Sequence, residues 1–283
     1  MPRTDMTGQN NLCATLLGAG GHGMATLLAP LLRANLQRRV RRGRESAACL
    51  PQRRGISSTA RPAGRLIWLH ASSVGESVAI IPVIGQLLAH TPALNLLVTT
   101  GTVTGADILM ARLAGMRGHE RVTHQFAPLD VPCWVGRFLD FWRPDVAALV
   151  ESELWPNLIR ACQQRHIALA LVNGRLSDRS LAGWRRAHCL LRRMLSAFSW
   201  IMARSAEDAD RLQHGGASRI DLVADLKDAA APLPCNPAEL ATLRRKLAGR
   251  RVWITASTHP GEEEAVMAAA TLVRQTVPDA LAI

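Results

Sequence analysis

Tyrosine is absent from this chain, and the whole aromatic share is 4%. Modules that hold single-stranded nucleic acid stack bases on aromatics interleaved with basic residues, so this scarcity argues against a nucleic-acid partner. No C-x-x-C pair occurs: Cys13, Cys49, Cys133, Cys162, Cys189 and Cys235 are scattered. Scattered thiols in 283 residues point to a reducing compartment and exclude a zinc ribbon. The histidines show no metal-ligand spacing, so neither a bound metal nor a cofactor is expected. No apolar run reaches the roughly 20 residues of a membrane span, and no signal-peptide cleavage pattern is evident. Acidic residues are also short, 22 against 34 Lys+Arg, which leaves a net charge of +12 and favours an anionic partner.

The positive charge is clustered. MATLLAPLL (24–32) runs into ANLQRRVRRGR (34–44), with Arg38, Arg39, Arg41, Arg42 and Arg44. An apolar stretch flanked by arginines reads either as a membrane-surface anchor or as an ordinary amphipathic helix with a solvated basic end. Just upstream, Gly18-Ala19-Gly20-Gly21-His22-Gly23 matches the G-x-G-x-x-G dinucleotide fingerprint, which keeps an NADP-binding oxidoreductase as an alternative. Its context is poor, because QRRVRRGR stands where the second strand and its ribose-binding acid belong.

From about residue 65, short apolar runs alternate with amphipathic stretches. Strands are predicted at Leu66–Leu69, Leu96–Thr99, Val122–Phe126, Val146–Val150, Ala168–Val172, Ser199–Ala203, Ile220–Val223 and Val252–Ala256. Between them lie helical patterns such as Val78, Ile81, Ile84, Leu87 and Leu88, whose steps of three and four share one face. Regular βα alternation predicts an α/β fold with a parallel sheet. The segment 231–239 carries Pro232, Pro234 and Pro237 and is the predicted boundary between a domain at 46–230 and a second one beginning at 231–283. That second domain reads as unfinished at DALAI.

Four stretches carry polar residues at the predicted strand ends. HASSVGES (70–77) places Ser73 and Glu76 at capping-box spacing, so Glu76 is either a capping residue or a base at a helix N-terminus. VESELWPN (150–157) places Glu151 and Glu153 two apart. In extended chain they would face one side, beyond a strand's carboxyl end where α/β sheets bind ligands; the alternative is an acid-rich helix start. DLK (225–227) offers Lys227 to a phosphate, a sugar carboxylate or a neighbouring Asp. TASTHPGEEE (255–264) is the fourth.

Taken with VTTGTVTGADILMARL, FAPLD, LVNGRLSDRS, SAEDADRL and LVADLK, these stretches occur in the order seen in bacterial 3-deoxy-D-manno-octulosonic acid (Kdo) transferases. From about Arg38 onward the chain resembles the N-terminal half of that family. The resemblance implies a GT-B-like glycosyltransferase with a Rossmann-like N-terminal domain and a second Rossmann-like domain present only in part. It further implies inverting, metal-independent transfer of Kdo from CMP-Kdo to the lipid A precursor, at the cytoplasmic face of the inner membrane. Carried over by motif, Glu76 is the proton acceptor, and Glu151 and Lys227 are transition-state stabilisers. Ser73, Gly75, Thr100, Gly101, Glu153, Arg175 and His259 are the substrate-binding candidates. The family's G-N-L-K reads Ala224-Asp225-Leu226-Lys227 here, which sets an acid beside Lys227. The family's nucleotide-binding motifs lie beyond the resemblance, so this chain is expected to be inactive alone, with a lipid-A-precursor-binding remnant as the other alternative.

Overall fold

The computed structural model describes residues 18, 20–43, 45–229 and 235–283. Two compact units divide the chain, 1–230 and 231–283. The first holds seven strands: β1 Leu66–Ala71, β2 Asn95–Thr100, β3 Val122–Phe126, β4 Val146–Val150, β5 Ala168–Gly174, β6 Trp200–Ala203 and β7 Leu222–Val223. They form one sheet in the order β3-β2-β1-β4-β5-β6-β7, and every pairing is parallel. The chain builds outward from β1 to β3, then returns to the other side of β1 at β4. The crevice beyond β1 and β4 is therefore the switch point where a doubly wound sheet binds its ligands.

Strand alternation sorts side chains into two apolar layers, one on each face. In β1, Leu66 and Trp68 enter a layer with helices Pro132–Trp142, Pro156–Gln164 and His188–Leu195, while Leu69 and Ala71 enter one with helices Ile81–His90 and Val103–Leu113. With both faces covered, these strands are apolar throughout rather than alternating, which is why short continuous runs located them.

Several predicted elements change in extent. The predicted strand 220–223 pairs only over Leu222–Val223, and 252–256 only over Val252–Trp253. The helical face from Val78 to Leu88 is split between helices Val74–Ala79 and Ile81–His90, joined at Ile80, because Pro82 has no N–H to continue the ladder and sits in the first turn of the second helix. Described residues of GAGGHG lie in helix, with residues 20–27 helical, so the motif is not the strand-to-helix turn that a dinucleotide fingerprint requires.

Downstream of that stretch runs the helix Ala29–Arg41. Ala29 and Leu36 are buried, whereas Met24, Leu27, Leu28 and Leu31 remain exposed. No described helix is long and apolar enough to cross a membrane. Residues 1–17 and 19, Arg44 of the stretch 24–44 read as a membrane anchor, and residues 231–234 of the predicted boundary lie outside the described residues.

The second unit contains helix Pro237–Leu247, β8 Val252–Trp253, helix Glu262–Thr276 and β9 Leu281–Ala282, with β8 and β9 paired in parallel. Asn236 Oδ1 caps the first helix by accepting the Ala238 N–H at 2.9 Å. At the second helix Glu262 Oε2 accepts the His259 N–H at 2.9 Å. Ile254, Met267 and Leu272 are exposed.

Candidate active site at the β1–β4 switch point

β1 ends in Ala71, and the turn after it starts helix Val74–Ala79. Ser73 is its N-cap, its Oγ accepting the Glu76 N–H at 3.2 Å. The return contact is displaced by one residue from a regular capping box: Glu76 Oε2 accepts the N–H of Ser72, not of Ser73, at 2.7 Å. Glu76 is only 7% exposed. Burial raises its carboxyl above the usual range, and the neighbouring charges of Glu153 and Glu151 add to this, against the opposing bonds from Ser72 and Ser73. A raised carboxylate with one oxygen tied by a backbone amide is suited to accept a proton, so capping and basicity coexist in one side chain.

Glu151 and Glu153 reach this crevice from β4 by a route other than the one predicted. The extended geometry behind their shared side fails, because Glu151 has φ 58° and the chain turns there. Its N–H donates to Val172 O at 2.9 Å, and its carbonyl accepts the Arg175 N–H at 3.3 Å. This clamps the turn against the end of β5. A non-glycine residue held in the left-handed region is unfavourable unless its surroundings enforce it, and such residues cluster at functional sites. The acid-rich helix start also fails: helix Pro156–Gln164 has no acid in its first turn. Its cap comes from elsewhere, since the Asp130 carboxylate accepts the Leu158 N–H at 2.8 Å and the Asn157 N–H at 3.1 Å. The FAPLD and ELWPN stretches are thus halves of one joint.

Glu153 turns inward. Its Oε2 accepts the Trp155 indole N–H and lies 3.5 Å from His70 Nε2. Burial opposes its ionisation, yet contacts from His70, Trp155 and Ser72 outweigh burial and hold it below the usual carboxylate range.

β2 contributes the floor. Gly101 has no alternative, because a Cβ there would stand 2.4 Å from Ser72 O. Thr100 is fully buried, its Oγ1 3.0 Å from His124 Nε2, so it supports the turn and presents no group to the crevice. Burial and the nearby Arg53 push His124 down to about 4. Arg53, which sequence reasoning missed, is buried and joins the ends of β2 and β3 by donating to Gly101 O at 2.7 Å and Ala127 O at 3.3 Å. Glu45 balances its charge at 3.3 Å. Only the fold reveals this role, since nothing local marks Arg53 among the other arginines.

Lys227 is exposed in a turn after β7, four strands from β1 in the sheet order. The Leu226 N–H donates to Asn173 Oδ1 at 3.1 Å, which draws that turn back toward the end of β5. Asp225 Oδ1 accepts the Lys227 backbone N–H at 3.0 Å, so the acid beside Lys227 closes the turn and is not bonded to the ammonium. Ser73, Gly75 and Arg175 are exposed near the crevice, while His259 is exposed in the second unit. The structure therefore gathers Glu76, Glu151, Glu153, Ser73, Gly75 and Gly101 around one crevice, and sets Lys227 after the edge strand β7 on a turn tied to Asn173 at the end of β5. Among the described residues, no three His, Cys, Asp or Glu side chains converge to hold a metal ion.

The chain is 32% identical over 244 residues to a 3-deoxy-D-manno-octulosonic acid transferase of Rickettsia bellii, covering 86% of this chain and 57% of that protein. A transferase of the same name from Haemophilus influenzae is 33% identical over 218 residues, 75% of this chain and 49% of that protein. The chain thus spans about half the length of the curated relatives it matches. Among solved structures, a UDP-GlcNAc 2-epimerase from Neisseria meningitidis superposes with a TM-score of 0.52 at 13% identity, covering 77% of this chain and 64% of that one. At that identity the likeness speaks for a GT-B-like α/β fold alone. Residues 48–230 match the family model described as 3-deoxy-D-manno-octulosonic-acid transferase (kdotransferase), and the chain belongs to the Kdo transferase family.

Proposed function

We propose that this chain forms the acceptor side of an inverting transferase that moves Kdo from CMP-Kdo to the lipid A precursor, lipid IVA, in lipopolysaccharide synthesis. Glu76 takes the proton from the acceptor hydroxyl while that oxygen attacks the anomeric carbon, and CMP leaves with the bonding electron pair. A single displacement of this kind inverts the anomeric centre. Glu151, fixed by its turn, and Lys227 stabilise the transition state, the ammonium offsetting charge on the departing phosphate. The observation that carries this reading is Glu76, a buried carboxyl raised by its surroundings at the switch-point helix N-terminus.

The lipid acceptor and a site at the cytoplasmic face of the inner membrane draw support from the N-terminal helices, where exposed Met24, Leu27 and Leu31 adjoin Arg33, Arg38, Arg41 and Arg42. Beside the first of them is a cavity of ≈ 260 Å³, lined by Ala25, Ile159 and Met194 and by the polar Asp130, Asn157 and Arg160. It does not include Glu76, Glu151 or Glu153, so it is separate from the reacting groups.

The test is a transfer assay with CMP-Kdo and lipid IVA on this chain alone and on a chimera completing it with the remaining half of the Rickettsia bellii relative. Donor and acceptor must be held together, and such positioning supplies about 7–11 kcal/mol of a barrier. The expected result is turnover by the chimera and none by the chain. Glu76→Gln in the chimera should lower kcat by about 10²–10⁴. A variant that retains its rate places the base elsewhere.

A further inference from the structure

His70 opens the HASSVGES stretch and has no assigned role. Register sets it opposite Thr99 of β2, next to the Trp68–Leu97 pair, and it is 1% exposed. Its ring nitrogens meet different partners. Nδ1 lies 2.9 Å from Thr99 Oγ1 and 3.3 Å from Thr99 O. Nε2 lies 3.5 Å from Glu153 Oε2, longer than a good hydrogen bond, and is a buried nitrogen with no hydrogen-bond partner of its own.

The neighbours determine where the proton sits. Trp68 Nε1–H donates to Thr99 Oγ1 at 2.8 Å, and indole is a donor only, so Thr99 retains its own hydroxyl proton for Nδ1. A bare Nε2 would aim its lone pair at a carboxylate, which is repulsive. The arrangement favours the tautomer with the proton on Nε2 and Thr99 Oγ1 donating to Nδ1.

From Glu153 the contacts continue to the base. The same Oε2 accepts the Trp155 indole N–H, and the nearby Ser72 side chain helps to hold this carboxyl low. The Ser72 backbone N–H in turn holds Glu76 Oε2 at 2.7 Å.

We propose that His70 is a positioning residue: its Nε2–H fixes Glu153 as a carboxylate against Trp155 and Ser72, immediately beside Glu76. The role rests on the reading of Glu76 as the base. The titratable groups facing this cluster are His70 from β1, Glu76 from the helix after it, and Glu151 and Glu153 from the turn after β4. Their surroundings separate two like groups, holding Glu153 low and Glu76 high. Burial is the main cause of the raised Glu76, and a fixed anion beside it adds to its basicity.

The experiment uses the 283-residue chain, with ¹³C-carboxyl glutamate and ¹⁵N histidine, and follows pH by NMR in the wild type, His70→Gln and His70→Leu. The expected wild-type spectrum shows Nε2 protonated, with Glu153 titrating below and Glu76 above the ordinary carboxylate range. Gln retains an N–H donor near the position of Nε2 and should preserve this order. Leu removes the donor, so Glu153 should rise by about 1–2 pH units and Glu76 should fall as its anionic neighbour is lost. A ring protonated on Nδ1 alone overturns the proposal, as does a folded His70→Leu chain whose Glu153 midpoint has not moved. If the Leu variant does not fold, the wild-type tautomer decides. None of these measurements requires donor or acceptor, so their failure is distinct from retained transfer by Glu76→Gln.

Discussion

Glu76 and Glu153 are the same chemical group, and their contacts push them in opposite directions. On the proposed reading of Glu76 as the base, its ionised form accumulates above the ordinary carboxylate range. In the chimera, kcat/KM should rise along a limb in that region, and Glu153→Gln should move the limb to lower pH by removing a neighbouring negative charge. For stability the sign is opposite to that of a salt-bridged acid. A folded-state value raised above the unfolded one means that the folded chain binds more protons, so stability falls as pH climbs from the unfolded value through the folded one. Glu76→Gln should therefore match the wild type in urea at acid pH and exceed it above that window. A carboxylate serving chiefly as a cap would give a less stable variant at neutral pH.

At the scale of elements, the crevice depends on joints between stretches far apart in the chain. Asp130, after β3, caps helix Pro156–Gln164 by accepting the Leu158 N–H at 2.8 Å, and that helix anchors the turn bearing Glu151 and Glu153. Asp130→Ala should cost about 0.5–2 kcal/mol in urea unfolding, the usual range for a lost cap, and should reduce transfer more than a remote change of equal cost. Gly101→Ala should be worse for the site than for the fold. Its Cβ would meet Ser72 O at 2.4 Å, so Ser72, which holds Glu76, must shift. Such overpacking typically costs about 1–3 kcal/mol. The strands were legible because both faces of the sheet are covered and their apolar runs are continuous. The Asp130 joint was visible only as two familiar motifs, since a cap supplied from 28 residues away leaves no local spacing to read.

For the whole molecule, the net charge is +12, and apolar side chains near the N-terminus are exposed. The chain should bind vesicles containing anionic lipid, each basic residue near the surface contributing about 1 kcal/mol, and salt should weaken that binding. Replacing Leu27 and Leu31 by Ser should reduce binding even at low salt, because these side chains are 78% and 66% exposed and supply the apolar contact. Neutral vesicles bound as tightly as anionic ones would show that charge has no part in it.

Sequence alone determined the parallel α/β class, the family and the carboxylates worth examining, because strand periodicity and ordered motifs are local properties carried along the chain. Tertiary structure decided how those groups work. It placed Glu151 in a left-handed turn in place of an extended strand, and moved the capping bond of Glu76 from Ser73 to Ser72. It also brought His70, Thr99 and Glu153 together from three strand ends, and tied the turn bearing Lys227, which follows β7, to Asn173 at the end of β5. A carboxyl's basicity is set by the water excluded around it and by the charges brought near it. Both come from residues distant in sequence, and only the winding of the sheet makes them neighbours.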